Sequence, residues 1–287
     1  MQSQIDSHHT FTYTDSELDL SAKENYALDI CLAANRISFT VFNANRVLGF
    51  RYLNTHFNLL ESNASQLLKL VNELEWYSSS YKNIRVFIDN ETFSMIPEAL
   101  FDVHQAGTYL NLVHKKLPDL QVLHSSLPKN QTVCVFGLSQ NCYTAINSIF
   151  GAPLIMHQSM VLVQTAAEFN ETDLKQHILV YISQSFIAVL QYNQNEIKFL
   201  NTYHVDADTD TVYFILSVAE QLKLQADKFG IYVMGDISTT SATMGLLKKY
   251  IPHVQAINRV DGIQYPLSFR EFQEQQHYLA IHTLLCE

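Results

Sequence analysis

The stretch from Tyr26 to Asn54, YALDICLAANRISFTVFNANRVLGFRYLN, decides the fold. It reads as three apolar strands, the last two joined at Asn43-Ala44-Asn45, where asparagine tolerates the left-handed turn conformation. The same pattern returns from His177 as HILVYISQ followed by SFIAVLQYNQNEIKFLNTYHV, with Asn193-Gln194-Asn195 at the turn. Phe42-Asn43-Ala44-Asn45-Arg46-Val47 aligns with Tyr192-Asn193-Gln194-Asn195-Glu196-Ile197, and both third strands are read as ending in Leu-Asn-Thr, at Leu53 and Leu200.

The agreement continues downstream. Ala64, Leu67, Leu68, Val71 and Leu74 form a helical apolar stripe, and Val212, Ile215, Leu216, Ala219 and Leu222 repeat its offsets. Ser62 and Asn63 are capping candidates for the first helix, Asp208 and Asp210 for the second. Each helix leads to a short apolar strand ending in aspartate, IRVFID at Asp89 and IYVMGD at Asp236. Strand, strand, strand, helix, strand therefore occurs twice, which predicts a duplication. A helical crossover returns the fourth strand parallel to a neighbour, so each copy is expected to be a mixed α/β sheet flanked by helices.

Around this repeat the expected organisation is a polar leader over 1–25, a first domain over 26–170 that includes an inserted segment at about 93–170, and a second over 171–287. The insert reads as a helix in ALFDVHQAGTYLNLVHKKL, strands at QVLHSS, TVCVFG and PLIMH, and helices over Ser139 to Phe150 and Val161 to Phe169. Polar residues Asn170 to Gln176 mark the boundary. Ser268 to Leu285 reads as an amphipathic helix burying Phe269, Phe272, Leu279 and Leu285 and packing back on the fold.

Composition narrows function. The chain has 287 residues, 47% hydrophobic and 16% charged, enough apolar material for a large core. Eighteen Lys and Arg against 28 Asp and Glu leave a net charge of −10, which opposes nucleic acid. Only eight glycines are present, so backbone cradles for phosphate are scarce. The four cysteines show no CxxC pair and the twelve histidines no HExxH, so no metal is expected. The first 25 residues lack an export signal and no apolar run spans a bilayer, so a cytoplasmic location without membrane insertion is expected.

Two tandem units of three-stranded meander, helix and strand resemble the actin-like ATPase superfamily, with its duplicated ribonuclease H-like units. More closely, NETFSMIPEALF after IRVFID, the length and the two Asn-x-Asn hairpins resemble an uncharacterised bacterial domain-of-unknown-function family assigned an actin-like ATPase fold. The resemblance implies a nucleotide cleft between two domains, with an Asp-x-Gly turn after the first strand of each and a Gly-Gly pair near the last strand of the second. In the first turn, Asp29-Ile30-Cys31-Leu32-Ala33-Ala34-Asn35-Arg36, the aspartate is kept and the glycine is lost. In the second, Ser183, Gln184 and Ser185 follow the strand, and both aspartate and glycine are gone. The adenosine position reads Gly235-Asp236, with the polar run from Ser238 behind it.

These departures lean against an enzyme. The expected function is a non-catalytic actin-like interaction or scaffold protein with a degenerate cleft, binding an unidentified protein partner or itself, with no cofactor. The alternative is an ATPase or phosphotransferase with atypical phosphate loops, using ATP and Mg²⁺ through Asp29 and Gly235-Asp236. Asp29, inside an apolar strand, must be paired or protonated, or must lie at the strand end and accept backbone N–H bonds. Arg36 is a candidate to neutralise a phosphate, but, flanking a hairpin, it reads more readily as a solvated edge charge. Gly137-Leu138-Ser139-Gln140-Asn141 has the outline of a hydrolase elbow without its second glycine, so Ser139 reads as a helix cap. Asp206, Asp208 and Asp210 read as an acidic helix start rather than a calcium loop.

Overall fold

The computed structural model describes residues 10–286 apart from 56–57, 73–75, 77–79, 115–118, 170–176, 194–195, 226–228, 258–261, 268 and 270–273. The first repeat consists of β1 (Phe11–Thr14), β2 (Ala27–Ala33), β3 (Arg36–Asn43), β4 (Arg46–Asn54), α1 (Ala64–Asn72) and β5 (Asn83–Asp89). Then come β6 (Phe93–Pro97), α2 (Ala106–Val113), β7 (Leu120–Leu127), β8 (Thr132–Ser139), α3 (Gln140–Phe150), β9 (Leu154–His157) and α4 (Ser159–Phe169). The second repeat runs through β10 (His177–Ile182), β11 (Phe186–Asn193), β12 (Glu196–His204), α5 (Asp208–Gln221) and β13 (Gly230–Gly235). It ends with α6 (Ala242–Tyr250), β14 (His253–Ala256) and α7 (Glu274–Ile281).

The strands form sheets of order β1-β4-β3-β2-β5-β9, β12-β11-β10-β13-β14 and β6-β8-β7. Both large sheets are mixed. β2 is antiparallel to β3 and parallel to β5, and β10 stands in the same relation to β11 and β13. Burial on both faces explains why β10 reads as a near-continuous apolar run and why β2 and β5 do so apart from Asp29 and Arg85.

The duplication holds at the level of single hydrogen-bond partners. β3 pairs β4 from Arg36↔Asn54 to Asn43↔Arg46, and β11 pairs β12 from Phe186↔His204 to Asn193↔Glu196, each partner recurring 150 residues later. Both ladders slip at the same place, between Val41 and Phe42 and between Gln191 and Tyr192. In this register the two Leu-Asn-Thr tripeptides do not correspond: Leu53 matches Tyr203, and Leu200 matches Phe50. Their likeness is coincidental. The left-handed residue of the first hairpin is Ala44 (φ 49°), whereas Asn45 uses its side chain to donate to the Gly262 carbonyl at 2.8 Å. In the second hairpin, residues 194–195 lie outside the described set.

The helices keep their predicted phase, with a narrower buried stripe in the first. Leu67 and Val71 of α1 are buried while Leu68 is exposed, and Leu74 lies outside the described residues. Asn63 accepts from the Gln66 N–H at 3.1 Å and the Gln66 side chain accepts from the Asn63 N–H at 3.1 Å, a reciprocal capping box. At α5 the Asp210 carboxylate accepts from the N–H groups of Asp206 and Ala207, both at 3.0 Å, so this acidic cluster closes a helix start.

By its contacts the chain forms two compact units, one of Met1–Ser126, Val133–Gln158 and Gly262–Phe272, the other of Leu127–Thr132, Ser159–Asp261 and Gln273–Glu287. The change of unit after the insert falls before α4, and residues 170–176, read as the boundary, lie outside the described set. Residues 11–14, read as polar leader, form β1 because alternating Phe11 and Tyr13 pair with Tyr52 and Phe50 on β4. The insert's expected long helix is helical over Ala106–Val113, preceded by two 3₁₀ turns, and packs Ala106 and Leu110 on Val133 and Val135. The tail is likewise shorter than expected, with α7 and a 3₁₀ turn at Thr283–Cys286. Phe269 and Leu279 are buried, Leu285 is half-buried, and 268 and 272 lie outside the described residues. Among the described residues no helix is long and apolar enough to cross a membrane.

Candidate functional site

β2 and β5 run parallel with Asp29 in register with Arg85. Asp29 is fully buried, and Arg85 meets it bidentately, Nε to Oδ1 at 2.8 Å and Nη2 to Oδ2 at 2.7 Å. Such a planar, charge-assisted pair resolves the demand that a buried carboxylate be partnered. Asp29 is third of the seven residues in its strand, which ends at Ala33. At about 3.3 Å per residue its Cα lies roughly 13 Å below the strand end, so it does not sit at the turn.

Nearer the turn, Arg36 Nη2 lies 2.6 Å from Asp89 Oδ2, their side chains 12% and 4% exposed. Arg36 is therefore not a solvated edge charge, because the parallel neighbour β5 brings its terminal carboxylate within reach. Alternation along β2 puts Cys31 on the same face as Asp29. Burial, then the carboxylates of Asp29 and Asp89, push the Cys31 thiol well above its usual range. The thiol is thus held neutral. The Asn35 carbonyl accepts from the Thr55 N–H at 2.7 Å.

At the carboxyl end of β5, Asn90 and His157 complete a polar cluster. His157 Nε2 lies 3.1 Å from the Asn90 carbonyl, while the Asn90 amide donates to the Gly137 carbonyl at 2.9 Å. The His157 ring packs on Phe93 and Phe136, and burial lowers its pKa to about 3. His157 is a neutral, structural imidazole at ordinary pH. Ser139 likewise works as a cap: its hydroxyl accepts from the Cys142 N–H at 3.3 Å and donates to the Leu60 carbonyl at 2.6 Å.

In the second unit the corresponding positions close on themselves. The Ser183 N–H donates to the Phe186 carbonyl at 2.8 Å, leaving Gln184 and Ser185 exposed at the turn. The Val205 N–H meets the Ser185 carbonyl at 2.9 Å, the counterpart of Thr55 and Asn35. Gly235 has φ +99°, and a Cβ there would stand 2.0 Å from the Ile182 carbonyl oxygen. The glycine is required by its left-handed backbone and by this close approach to the neighbouring strand β10, and the Asp236 N–H donates to that same oxygen at 2.7 Å. Ser238 lies in the loop before α6, its hydroxyl 3.0 Å from Thr240 Oγ1 and its carbonyl accepting from Ser241, which caps the helix at Met244. Where the first repeat has Asp29 and Arg85, the second has Leu179 in register with Tyr232.

The fold thus gathers Asp29, Asn35 and Arg36 around one strand-turn-strand, and Ser183, Gln184, Ser185, Gly235 and Asp236 around its duplicate. Sequence reasoning missed Arg85, Asn90 and His157. An arginine inside the apolar run IRVFID was the available signal, since Arg85 is as anomalous in its strand as Asp29 in its own.

Residues 15–254 match the DUF3822 family, described as a protein of unknown function. The chain belongs to this family. Among solved structures it is similar to a Bacteroides thetaiotaomicron protein with an actin-like ATPase fold and unknown function, at 23% identity and a TM-score of 0.74. That match covers 86% of this chain and 96% of the other. It is also similar to a chain of a PilM-PilN type IV pilus biogenesis complex, at 11% identity and a TM-score of 0.60, covering 91% and 97%. No curated protein matches at a significant level. The DUF3822 chain has the actin-like ATPase fold.

Proposed function

We propose that this DUF3822 protein is a non-catalytic, actin-like interaction module, its two repeats kept as a scaffold for protein contacts and its phosphate turns no longer serving nucleotide. The observation that carries this reading is the pairing of the buried carboxylates of β2 and β5 with arginines, Asp29 with Arg85 and Asp89 with Arg36. A divalent ion and triphosphate need carboxylates and N–H donors ready for them, and these carboxylates are bound to cations of the chain itself. Gly235 supports the same reading, because its close approach to Ile182 on the neighbouring strand demands a glycine whether or not a ligand is near. The likeness to a chain of the PilM-PilN complex adds that this fold can sit in a protein assembly.

Titration calorimetry with ATP and Mg²⁺, followed by a phosphate-release assay, tests the proposal. No binding and no turnover are expected. Tight binding with turnover that disappears in the double variant Asp29→Leu/Arg85→Tyr, which copies the second repeat and leaves no charge unpaired, would overturn it.

A further inference from the structure

An edge strand presents a row of backbone donors and acceptors, and proteins protect such edges by shortness, charge, proline or cover. Among the described residues three sheets present six edges. β1, β9 and β14 have four residues each. β6 has five and ends in Pro97. β12 is long but carries Glu196 and Lys198, joined in an ion pair, with His204 near Asp206 at its far end. β7, LQVLHSSL, differs from all of these: it has eight residues, no charge and no proline. Among the described residues no strand pairs its outer side.

One face of β7 meets β9, where the Ser125 hydroxyl donates to the Ile155 carbonyl at 3.5 Å, and the other packs Leu120 and Val122 under α2, so what stays open is the backbone edge beside an apolar rim. Leu112 and Val113 on α2 are 76% and 62% exposed, and Leu100 and Val103 just before that helix are 69% and 51% exposed. The electrostatics select the occupant. From Phe93 to Ser139 the sequence has three acidic residues (Glu98, Asp102, Asp119) and three basic ones (Lys115, Lys116, Lys129), whereas the whole chain carries −10. Residues 93–139 are therefore net neutral in a chain of net charge −10, and two copies can meet there without like-charge repulsion. An uncharged strand also pairs with its own copy without opposed charges, whereas a basic partner drawn by the acidic chain would find no counter-charge on this edge.

We propose that β7 is a self-association edge, two copies of the chain pairing their β7 strands antiparallel about a two-fold axis so that the two small sheets become one. The two-fold gives a closed dimer, because each edge is consumed by its twin. This rests on reading the protein as an interaction module and names the surface and the partner, a second copy.

Light scattering or sedimentation velocity on the full chain, over a concentration series in physiological salt, tests it. The wild-type mass should rise to that of two copies and stop. The variant His124→Lys/Ser126→Lys, at two exposed positions of β7, should weaken association at least about tenfold, with an unchanged circular dichroism spectrum. Amide exchange at 120–127 should slow as wild-type concentration rises. A wild-type mass of one copy throughout, a dimer indifferent to the lysines, or a mass climbing past two copies through head-to-tail edge pairing would each overturn the proposal. Nucleotide titration is a separate readout, so ATP turnover would sink the functional reading and leave the dimer measurement standing.

Discussion

The two repeats share a hairpin register to the residue and differ in what they bury beneath it. In the first, the position three residues into the opening strand holds Asp29 against Arg85, and in the second it holds Leu179 against Tyr232. Both sheets form, so the ion pair is not a requirement of the fold. Removing two ions from water costs several kcal/mol each, and their attraction recovers that only with good geometry and full hydrogen bonding. The first repeat meets those conditions through its bidentate contact, and the second avoids the problem.

Breaking the pair on one side should give the largest effect. Arg85→Ala leaves the Asp29 carboxylate buried without its cation and should cost about 3–5 kcal/mol of stability, read from urea unfolding. Asp29→Leu/Arg85→Tyr imports the second repeat's solution and should recover most of that loss, in the range where buried pairs give way to apolar residues at no cost or a gain. A double variant as unstable as Arg85→Ala would show that the repeats are not interchangeable here, because the aromatic ring needs space this sheet does not have.

A second difference lies at the strands flanking the parallel pairs. β9 ends in buried His157, whereas β14 begins with an exposed histidine, His253. The folded-state pKa of His157 is depressed to about 3 from 6.5, so between these values the unfolded chain binds a proton that the folded chain refuses. Stability from this group is complete above pH 6.5 and falls as the pH drops through the window, by about 2 kcal/mol at pH 5. His157→Gln removes the titration, so the stability gap between wild type and variant should narrow by about 2 kcal/mol between pH 7 and pH 5. A gap independent of pH would mean that the folded protein accepts the proton.

Much of this architecture was legible in the sequence because a duplicated hairpin writes its register twice. Asn43 and Asn193, the apolar stripes and the terminal aspartates carry local signals of period and turn, which the chain states without reference to distant partners. The short insert helix and the tail were overextended because apolar spacing fixes phase but not where a helix stops. The site was less legible for a different reason. Asp29 could be recognised as anomalous, but its partner is chosen by the parallel pairing of β2 with β5, a contact 56 residues away in the chain that no local pattern encodes. Arg36 was misread for the same cause, since Asp89 reaches it across strands.

The smallest test concerns the helix that follows each hairpin. α1 begins with the neutral, reciprocal Asn63–Gln66 box, while α5 begins with the Asp210 carboxylate holding two backbone N–H groups. Removing either cap orphans backbone donors at a helix start and should cost about 1 kcal/mol, measurable as a lowered melting temperature. Asp210→Ala should cost more than Asn63→Ala, because a charged acceptor makes stronger bonds and also faces the positive end of the helix dipole. The excess should shrink in high salt, which screens the dipole term and leaves the hydrogen-bond count unchanged. Equal losses insensitive to salt would mean that the repeats' helix starts differ in residue type alone.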